Sequence, residues 1–267
     1  MQRDNFLIIH WESEKNLFLD SLDAFDVINP ELIHKIRVNI KKLRTYLSLY
    51  GLLYKNKFIN DLFKETEQLF SVLGQYRNFD ILKENIDEDL NKDPILIQAY
   101  LAWLQTLQAE LPSLSDTLSH YKSTGLDQIS AVFRRTIGRL DSIQLGRKTV
   151  SINRHLLKKV RVYLDHFKLN FHEIRKDLKR VFYHAKISTE VGISVKQLDL
   201  LNKTLDILGK IQDDEERLRF VHRYRKSTGI IGKSEELKSA ELNIKLKKSA
   251  WLRKAKRSTL RFLDTFS

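Results

Sequence analysis

Apolar residues recur along nearly the whole chain at positions i, i+3, i+4 and i+7, the spacing of one face of an α-helix. No convincing run alternates apolar and polar residues as a half-buried strand would. Pro30, Pro94 and Pro112 each stand at the start of an amphipathic segment, where a helix tolerates proline. The pattern predicts an all-α protein. The predicted helices span 4–26, 30–53, 56–72, 76–90, 95–109, 113–122, 126–143, 149–167, 171–189, 195–208, 211–226 and 235–264.

Two of these helix starts carry capping signals. Asn29 precedes Pro30, which predicts an N-cap followed by proline at the first helical position. Asn170 is followed three residues later by Glu173, which resembles a capping box and predicts a helix that begins at residue 171.

One sequence pattern occurs twice. HKIRVNIKKLRTY begins at His34, and FHEIRKDLKRVFYHAK contains His172 in the same pattern. Relative to each histidine, both copies have apolar residues at +2 and +9, arginine at +3, lysine at +7 and a second base at +8. A Leu-Gly pair follows each copy, at Leu73 and at Leu208. The histidines are 138 residues apart and the Leu-Gly pairs 135, and this shared offset predicts an internal duplication.

The duplication predicts two helical repeats, 1–125 and 126–267, and the second ends in a basic C-terminal helix. That helix contains Lys245–Arg261, a segment with eight bases and no acid. The segment could bind nucleic acid or an acidic membrane surface on its own. We favour a packed helix because apolar anchors accompany the bases. The anchors are Ile244, Trp251, Leu252, Leu260, Phe262 and Leu263.

The duplicated pattern has a basic face. On a helical wheel at about 100° per residue, the bases of each copy lie on one side and the apolar residues on the opposite side. The first stripe, as we name it, consists of His34, Arg37, Lys41 and Arg44, and the second stripe of His172, Arg175, Lys179 and Lys186. The apolar sides carry Ile36, Ile40, Leu43 and Leu47 in one copy and Ile174, Leu178, Val181 and Ala185 in the other.

Each stripe favours an extended anionic ligand. Ten residues of helix rise about 15 Å, so such a row suits a run of phosphates better than one small anion. Like charges three and four residues apart destabilise a helix by a few tenths of a kcal/mol per pair. A purely structural helix would intersperse glutamate, as KETEQ at 64–68 does. The alternative is a solvated basic face that the duplication has merely copied.

The composition narrows the range of functions. The chain has 267 residues and a formal net charge of +13, an excess that favours a polyanion or an anionic surface as partner. The sequence contains no cysteine, which removes disulfides, thiolate nucleophiles and cysteine-bound zinc. The N-terminal MQRDNFLIIHWESEK does not resemble a secretory signal, and no apolar run approaches the length of a membrane span. We expect a soluble cytoplasmic protein without an integral membrane segment.

The pattern H-x-x-R-x-x-x-[KR]-[KR]-x-R, followed by L-G-x-x-[RQ]-[ND] and present twice, resembles the CHAD domain, the conserved histidine α-helical domain. The resemblance spans almost the whole chain. The matching residues are His34, Arg37, Lys41, Lys42 and Arg44 in the first copy, and His172, Arg175, Lys179 and Arg180 in the second. The second copy departs at Phe182, where the pattern has arginine, and Lys186 one turn later is a candidate replacement. Asn78 stands where aspartate is usual.

The resemblance implies a fold and a ligand. CHAD domains consist of two helical bundles related by a pseudo-twofold axis, with a basic groove or pore between them. They bind inorganic polyphosphate and associate with polyphosphate granules in bacteria. Many accompany a CYTH triphosphatase domain, but this chain lacks the E-x-E-x-K opening of such a domain. The resemblance therefore implies a stand-alone CHAD protein.

Catalytic and metal chemistry is weakly supported. The residues one turn from His34 and His172 are mostly bases rather than metal ligands, so we expect hydrogen-bond donors to phosphate instead. Asp213, Asp214, Glu215 and Glu216 are consecutive and cannot all converge on one ion, so a solvated or arginine-pairing face is favoured. No P-loop, G-x-G-x-x-G, G-x-S-x-G or H-E-x-x-H motif is present. No cofactor and no metal are expected.

The sequence therefore predicts a non-catalytic protein that binds inorganic polyphosphate through two facing stripes, with granule association as a further expectation. The predicted binding residues are His34, Arg37, Lys41, Lys42, Arg44, His172, Arg175, Lys179, Arg180 and Lys186. The main alternative is a helical nucleic-acid-binding protein, and nucleic acid is also a possible secondary partner at low salt. An enzyme acting on phosphorylated substrates is a third hypothesis. The pattern does not decide whether Arg77 or the tail lysines touch a ligand.

Overall fold

The computed structural model describes residues 6–23, 29–53, 57–90, 93–120, 125–137, 142–187, 192–227 and 234–266, and its regular elements are all helical. The α-helices are α1 Phe6–Asp23, α2 Pro30–Leu53, α3 Lys57–Asp89, α4 Pro94–Ala109, α5 Leu114–His120, α6 Gly125–Ile137, α7 Ser142–Tyr163, α8 Phe167–Ile187, α9 Val195–Ser227 and α10 Ser234–Asp264. A 3₁₀ turn, Leu164–His166, connects α7 to α8. The all-α prediction is confirmed. None of the helices in the described ranges combines the length and apolar character that a membrane crossing needs.

Two predicted helix breaks were wrong. The helices predicted over 56–72 and 76–90 form the single helix α3, and those over 195–208 and 211–226 form α9. Gly74 and Gly209 therefore lie inside helices. Glycine in a helix costs about 1 kcal/mol relative to alanine, and this weak local preference is outweighed by burial of apolar residues beside it.

Of the two predicted helix caps, one is present and the other is not. Asn29 caps α2, because its Oδ1 accepts a hydrogen bond from the Leu32 amide at 2.7 Å, and Pro30 is the first helical residue. The capping box predicted at Asn170 was wrong, since α8 begins at Phe167 directly after the 3₁₀ turn. Phe167 and Phe171 are both buried, so core packing extends the helix past the local polar signal.

The helices form two compact units. Unit 1 contains residues 1–74 and 112–201. Within it α1 packs along α2, α7 packs along α8, and α2 also contacts α7 and α8. The apolar sides of the two stripe helices are buried here, with Ile36, Ile40, Leu43, Ile174 and Leu178 all inaccessible to solvent. Burial of this face fixes the rotation of α2 and α8, and it therefore fixes the direction of the basic face as well.

Unit 2 contains residues 75–111 and 202–267. Its core is rich in aromatic residues. Tyr100 meets Tyr224 edge to face with ring centroids 5.0 Å apart, and Phe79 meets Phe220 in the same way at 5.8 Å. Ile244 of α10 is buried in this core, which confirms that the basic tail is a packed helix. Leu260 is 40% exposed and is not the anchor that the sequence predicted.

The boundaries of the two compact units differ from those of the two predicted repeats. Unit 1 takes α1, α2 and the first part of α3 from repeat 1–125, and α7, α8 and the start of α9 from repeat 126–267. Unit 2 takes the rest of α3 with α4, and the rest of α9 with α10. Each unit therefore contains helices from both predicted repeats, and unit 1 also contains α5 and α6. The duplication, its pseudo-twofold axis and the groove between two bundles remain predictions.

Candidate anion-binding site

Phe70 of α3 organises the first stripe. The Cζ atom of Arg37 lies 4.3 Å from the centre of the Phe70 ring, and that of Arg44 lies 5.4 Å from it. The Nζ atom of Lys41 lies 5.7 Å from the same centre. Three cationic groups from successive turns of α2 thus gather around one aromatic ring, which attracts each of them through its π-electrons. Phe70 lies outside the residues that the motif predicts, and its only sequence signal is an aromatic residue one turn before Gly74.

Arg37 is held by a hydrogen bond as well as by the Phe70 ring. Its Nη1 donates a hydrogen bond to the Phe70 carbonyl oxygen at 3.0 Å. The same nitrogen lies 2.8 Å from where a Cβ on Gly74 would stand. A side chain at residue 74 would therefore displace the Arg37 guanidinium from this position. In the first copy of the motif, the basic pattern and the Leu-Gly segment are therefore in contact.

Arg44 lies at the end of the first stripe and is only 19% exposed. Its Nη2 pairs with Glu67 at 3.1 Å. Burial lowers the pKa of the Arg44 guanidinium, Glu67 opposes that shift, and the positive charge of Arg180 on α8 adds to it. Helices α2 and α8 contact each other in unit 1, which agrees with this effect of Arg180 on Arg44.

The second stripe follows α8. His172 is exposed, and Arg175 and Lys179 are half-buried beside the buried apolar side of the helix. Phe182 is buried at the position where the motif has arginine, and the ammonium of Lys186 lies 4.6 Å from the centre of its ring. Lys186 therefore supplies a positive charge beside residue 182, where the motif has arginine.

Lys42 and Arg180 differ from the other predicted site residues. Lys42 pairs with Glu14 of α1 at 2.9 Å. Arg180 pairs with Asp177 at 3.1 Å, and Asp177 is fully buried and also binds Lys159 of α7 at 3.1 Å. These carboxylates compensate part of the positive charge and hold neighbouring helices together. Their roles as ligand contacts remain predictions.

The acids at 213–216 include three that form ion pairs with basic side chains. Asp214 accepts a hydrogen bond from Arg217 Nη1 at 2.7 Å, and Arg217 is buried and also bound by Asp89. The pair of Asp214 and Arg217 fits the arginine-pairing face that the sequence favoured, and Glu215 pairs in addition with Lys248. Burial is the main cause that raises the pKa of Asp214 to about 6, with Asp89 contributing and Arg217 opposing. The described residues include no group of three histidines or acids that could hold a metal ion.

Asn78 has a structural partner that accounts for its departure from the motif. Its Nδ2 donates to Glu216 Oε2 at 3.4 Å. Aspartate at residue 78 would place two carboxylates at this distance and repel Glu216, whereas the amide supplies a donor. Arg77, the neighbouring residue, pairs with Glu84 at 3.0 Å.

Comparison with known proteins agrees with this architecture. A family model of the CHAD domain matches residues 19–222. Among solved structures, the CHAD domain from the plant Ricinus communis is similar with a TM-score of 0.67 and 18% sequence identity. The similarity covers 97% of this chain and 93% of that one, and at this identity it establishes the fold alone. No curated protein matches the chain significantly.

Proposed function

Because this chain belongs to the CHAD domain family, we propose that it binds inorganic polyphosphate without chemically changing it. The first and second stripes form the site, with Lys42 and Arg180 at its edge. Binding of polyphosphate is known for the family. The protein is a cytoplasmic binder under this proposal, and association with polyphosphate granules is part of it.

One observation carries the proposal. Arg37, Lys41 and Arg44 gather around Phe70, and helix α8, which carries the second stripe, contacts α2. Packing like charges together is unfavourable, and the Phe70 ring together with the Glu67–Arg44 ion pair compensates part of that cost. A chain of phosphates, each with a negative charge, supplies compensation along the full length of the stripes.

The residue types fit this ligand. Arginine can bind a phosphate group with two parallel hydrogen bonds, and lysine acts as a point charge. His34 and His172, both exposed, can donate hydrogen bonds to phosphoryl oxygens. A phosphate polymer carries no sequence information, so binding depends on length and ionic strength. Affinity falls steeply with added salt, by analogy with counterion release from nucleic acids.

A catalytic role has less support than binding. Glu67 pairs with Arg44 of the first stripe, and Asp177 binds Arg180 and Lys159, so basic side chains already hold both carboxylates. Incubation with polyphosphate and Mg²⁺, followed by measurement of polymer length, tests this part of the proposal. Shortened polymer would mean that the protein is an enzyme.

Calorimetric titration tests the site itself. The wild type is titrated with long-chain polyphosphate and, separately, with single-stranded and duplex DNA of matched charge, at two salt concentrations. We expect tighter binding of polyphosphate than of either DNA, and loss of most polyphosphate binding in the double variant Arg37→Glu/Arg175→Glu. The control Lys203→Glu/Lys226→Glu makes the same charge change at exposed positions of α9.

The control decides between a site and a generic basic surface. Equal loss of binding in both double variants, or equal affinity of the wild type for every polyanion, would contradict the proposal. Circular dichroism and thermal unfolding of each variant establish that the fold is intact before its affinity is interpreted.

A further inference from the structure

Helix α7 is strongly basic although it lies outside the duplicated motif. Its 22 residues include no aspartate or glutamate. Its bases are Arg147, Lys148, Arg154, Lys158, Lys159 and Arg161, accompanied by His155. Leu145, Leu156 and Val160 are buried on the opposite side. The helix therefore has a core face and a positive face, as α2 and α8 do.

Arg147, Arg154 and Lys158 form a row on this positive face, which we call the third stripe. They are exposed, and helical geometry places them within about 40° of one another around the helix. The rise from Arg147 to Lys158 is about 16 Å, similar to the length of the first stripe. A groove of about 460 Å³ follows the same face and is lined by Ile143, Gly146, Arg147, Val150 and Arg154.

Among the described residues, no acid compensates the members of the third stripe as Glu14 compensates Lys42 and Asp177 compensates Arg180. Within the described ranges, no ion pair joins Arg147, Arg154 or Lys158 to a carboxylate. An uncompensated row of cations on one helix face is costly in isolation and favourable beside a polyanion.

The third stripe belongs to the same compact unit as the other two. Helix α7 packs along α8 and contacts α2. Lys159, which lies about 100° around the helix from Lys158, binds Asp177 of α8, and Asp177 also binds Arg180. The basic surface of α7 is thus linked to that of α8 through one buried carboxylate.

We infer that the third stripe is an accessory polyphosphate-binding surface, used by polymers long enough to extend beyond the first and second stripes. This inference rests on the proposed function. It makes affinity depend on polymer length, because short polymers occupy only α2 and α8. A base-free phosphate polymer fits better than RNA, since α7 offers only the rings of His155 and Tyr163 for base stacking rather than a row of aromatic residues.

The test compares short and long polyphosphate on the full-length protein. The variant Arg147→Glu/Arg154→Glu/Lys158→Glu is matched by Lys196→Glu/Lys203→Glu/Lys226→Glu, which makes the same charge change on α9. In the α7 variant we expect long-chain binding to weaken by about a hundredfold and the slope of log K against log salt to fall by about 2 to 3. Short-chain binding should change less than about twofold beyond the change in the α9 variant.

The outcomes separate this inference from the proposed function. If wild type binds neither polymer, the proposed function fails and the inference fails with it. If wild type binds both but the α7 variant binds them as the α9 variant does, only the inference is overturned. Equal loss of single-stranded RNA and long polyphosphate in the α7 variant would also overturn it, because the surface would then be a general polyanion patch.

Discussion

The guanidinium of Arg37 occupies the space in which a side chain at Gly74 would begin. Arg37 Nη1 lies 2.8 Å from the Cβ position of that glycine, closer than real Cβ contacts, and donates to the Phe70 carbonyl at 3.0 Å. Gly209, the corresponding glycine of the second Leu-Gly pair, has open space at its Cβ position among the described residues. One glycine therefore serves the site, and the other offers a matched control.

Replacing Gly74 with alanine should separate binding from stability. The new Cβ displaces the Arg37 guanidinium, and we expect polyphosphate affinity to fall by about fivefold to tenfold, as for loss of one hydrogen bond of ordinary strength. Stability should change little, because alanine's higher helix propensity offsets the displacement. Isothermal titration and denaturant unfolding measure the two effects.

Gly209→Ala is the control for that experiment. It should raise the free energy of unfolding by about 0.5–1 kcal/mol, because alanine favours a helix and meets no neighbour. Its polyphosphate affinity should equal that of the wild type. Equal affinities of the two alanine variants would mean that the position of Arg37 does not matter for binding.

Phe70→Leu should weaken polyphosphate binding while keeping an apolar side chain. The aromatic ring attracts Arg37, Lys41 and Arg44, and each such contact is worth about 0.5–1 kcal/mol at exposed sites. Without it the three cations spread apart, and we expect about a tenfold loss of affinity. Phe70→Tyr keeps the ring and should bind like the wild type, whereas similar losses in both variants would exclude the ring's role.

Lys41 and Lys42 are adjacent but should behave differently. Lys41 is oriented toward the Phe70 ring, and Lys42 pairs with Glu14. We expect Lys41→Ala to weaken polyphosphate binding by about threefold to tenfold and to leave stability within about 0.5 kcal/mol. Lys42→Ala should affect affinity less and lower the free energy of unfolding by up to about 1 kcal/mol. A larger affinity loss in Lys42→Ala than in Lys41→Ala would contradict this prediction and would indicate that Lys42 contacts the ligand directly.

Phe182→Arg restores the sequence motif but should destabilise the protein. Phe182 is buried, so arginine loses the apolar contacts and places a charge where it is poorly solvated. We expect the free energy of unfolding to fall by about 2–4 kcal/mol, measured with denaturant. Lys186→Arg keeps the charge above the Phe182 ring and should leave stability unchanged. An undiminished stability in Phe182→Arg would show that the position tolerates the arginine of the family pattern.

Asp214→Asn should alter the pH dependence of stability. The pKa of Asp214 is raised to about 6 in the folded protein, so the folded state retains a proton that the unfolded state has released. Wild-type stability relative to the variant should therefore decrease as pH rises from about 4 to about 6, by roughly 1–2 kcal/mol. Unfolding at several pH values measures this, with Asp206→Asn at an exposed position of the same helix as control. Parallel pH profiles for wild type and Asp214→Asn would contradict the raised pKa.

The local parts of the fold were predictable because they depend on neighbours along the chain. Periodicity identified the helices, and side-chain capping located the start of α2 at Asn29. The predicted helix breaks at Gly74 and Gly209 and the predicted cap at Asn170 were wrong. At these residues a local breaking or capping signal was weaker than the burial of adjacent apolar residues.

The sequence by itself determined the all-α class and the two stripes with their buried opposite faces, because a 3.6-residue period couples the core face of a helix to its exposed face. Tertiary structure alone decided that Phe70 gathers the first stripe, that Glu14 and Asp177 bind Lys42 and Arg180, and that α7 joins the same unit. These relationships connect residues far apart in the chain, and they depend on how helices pack rather than on any spacing along one of them.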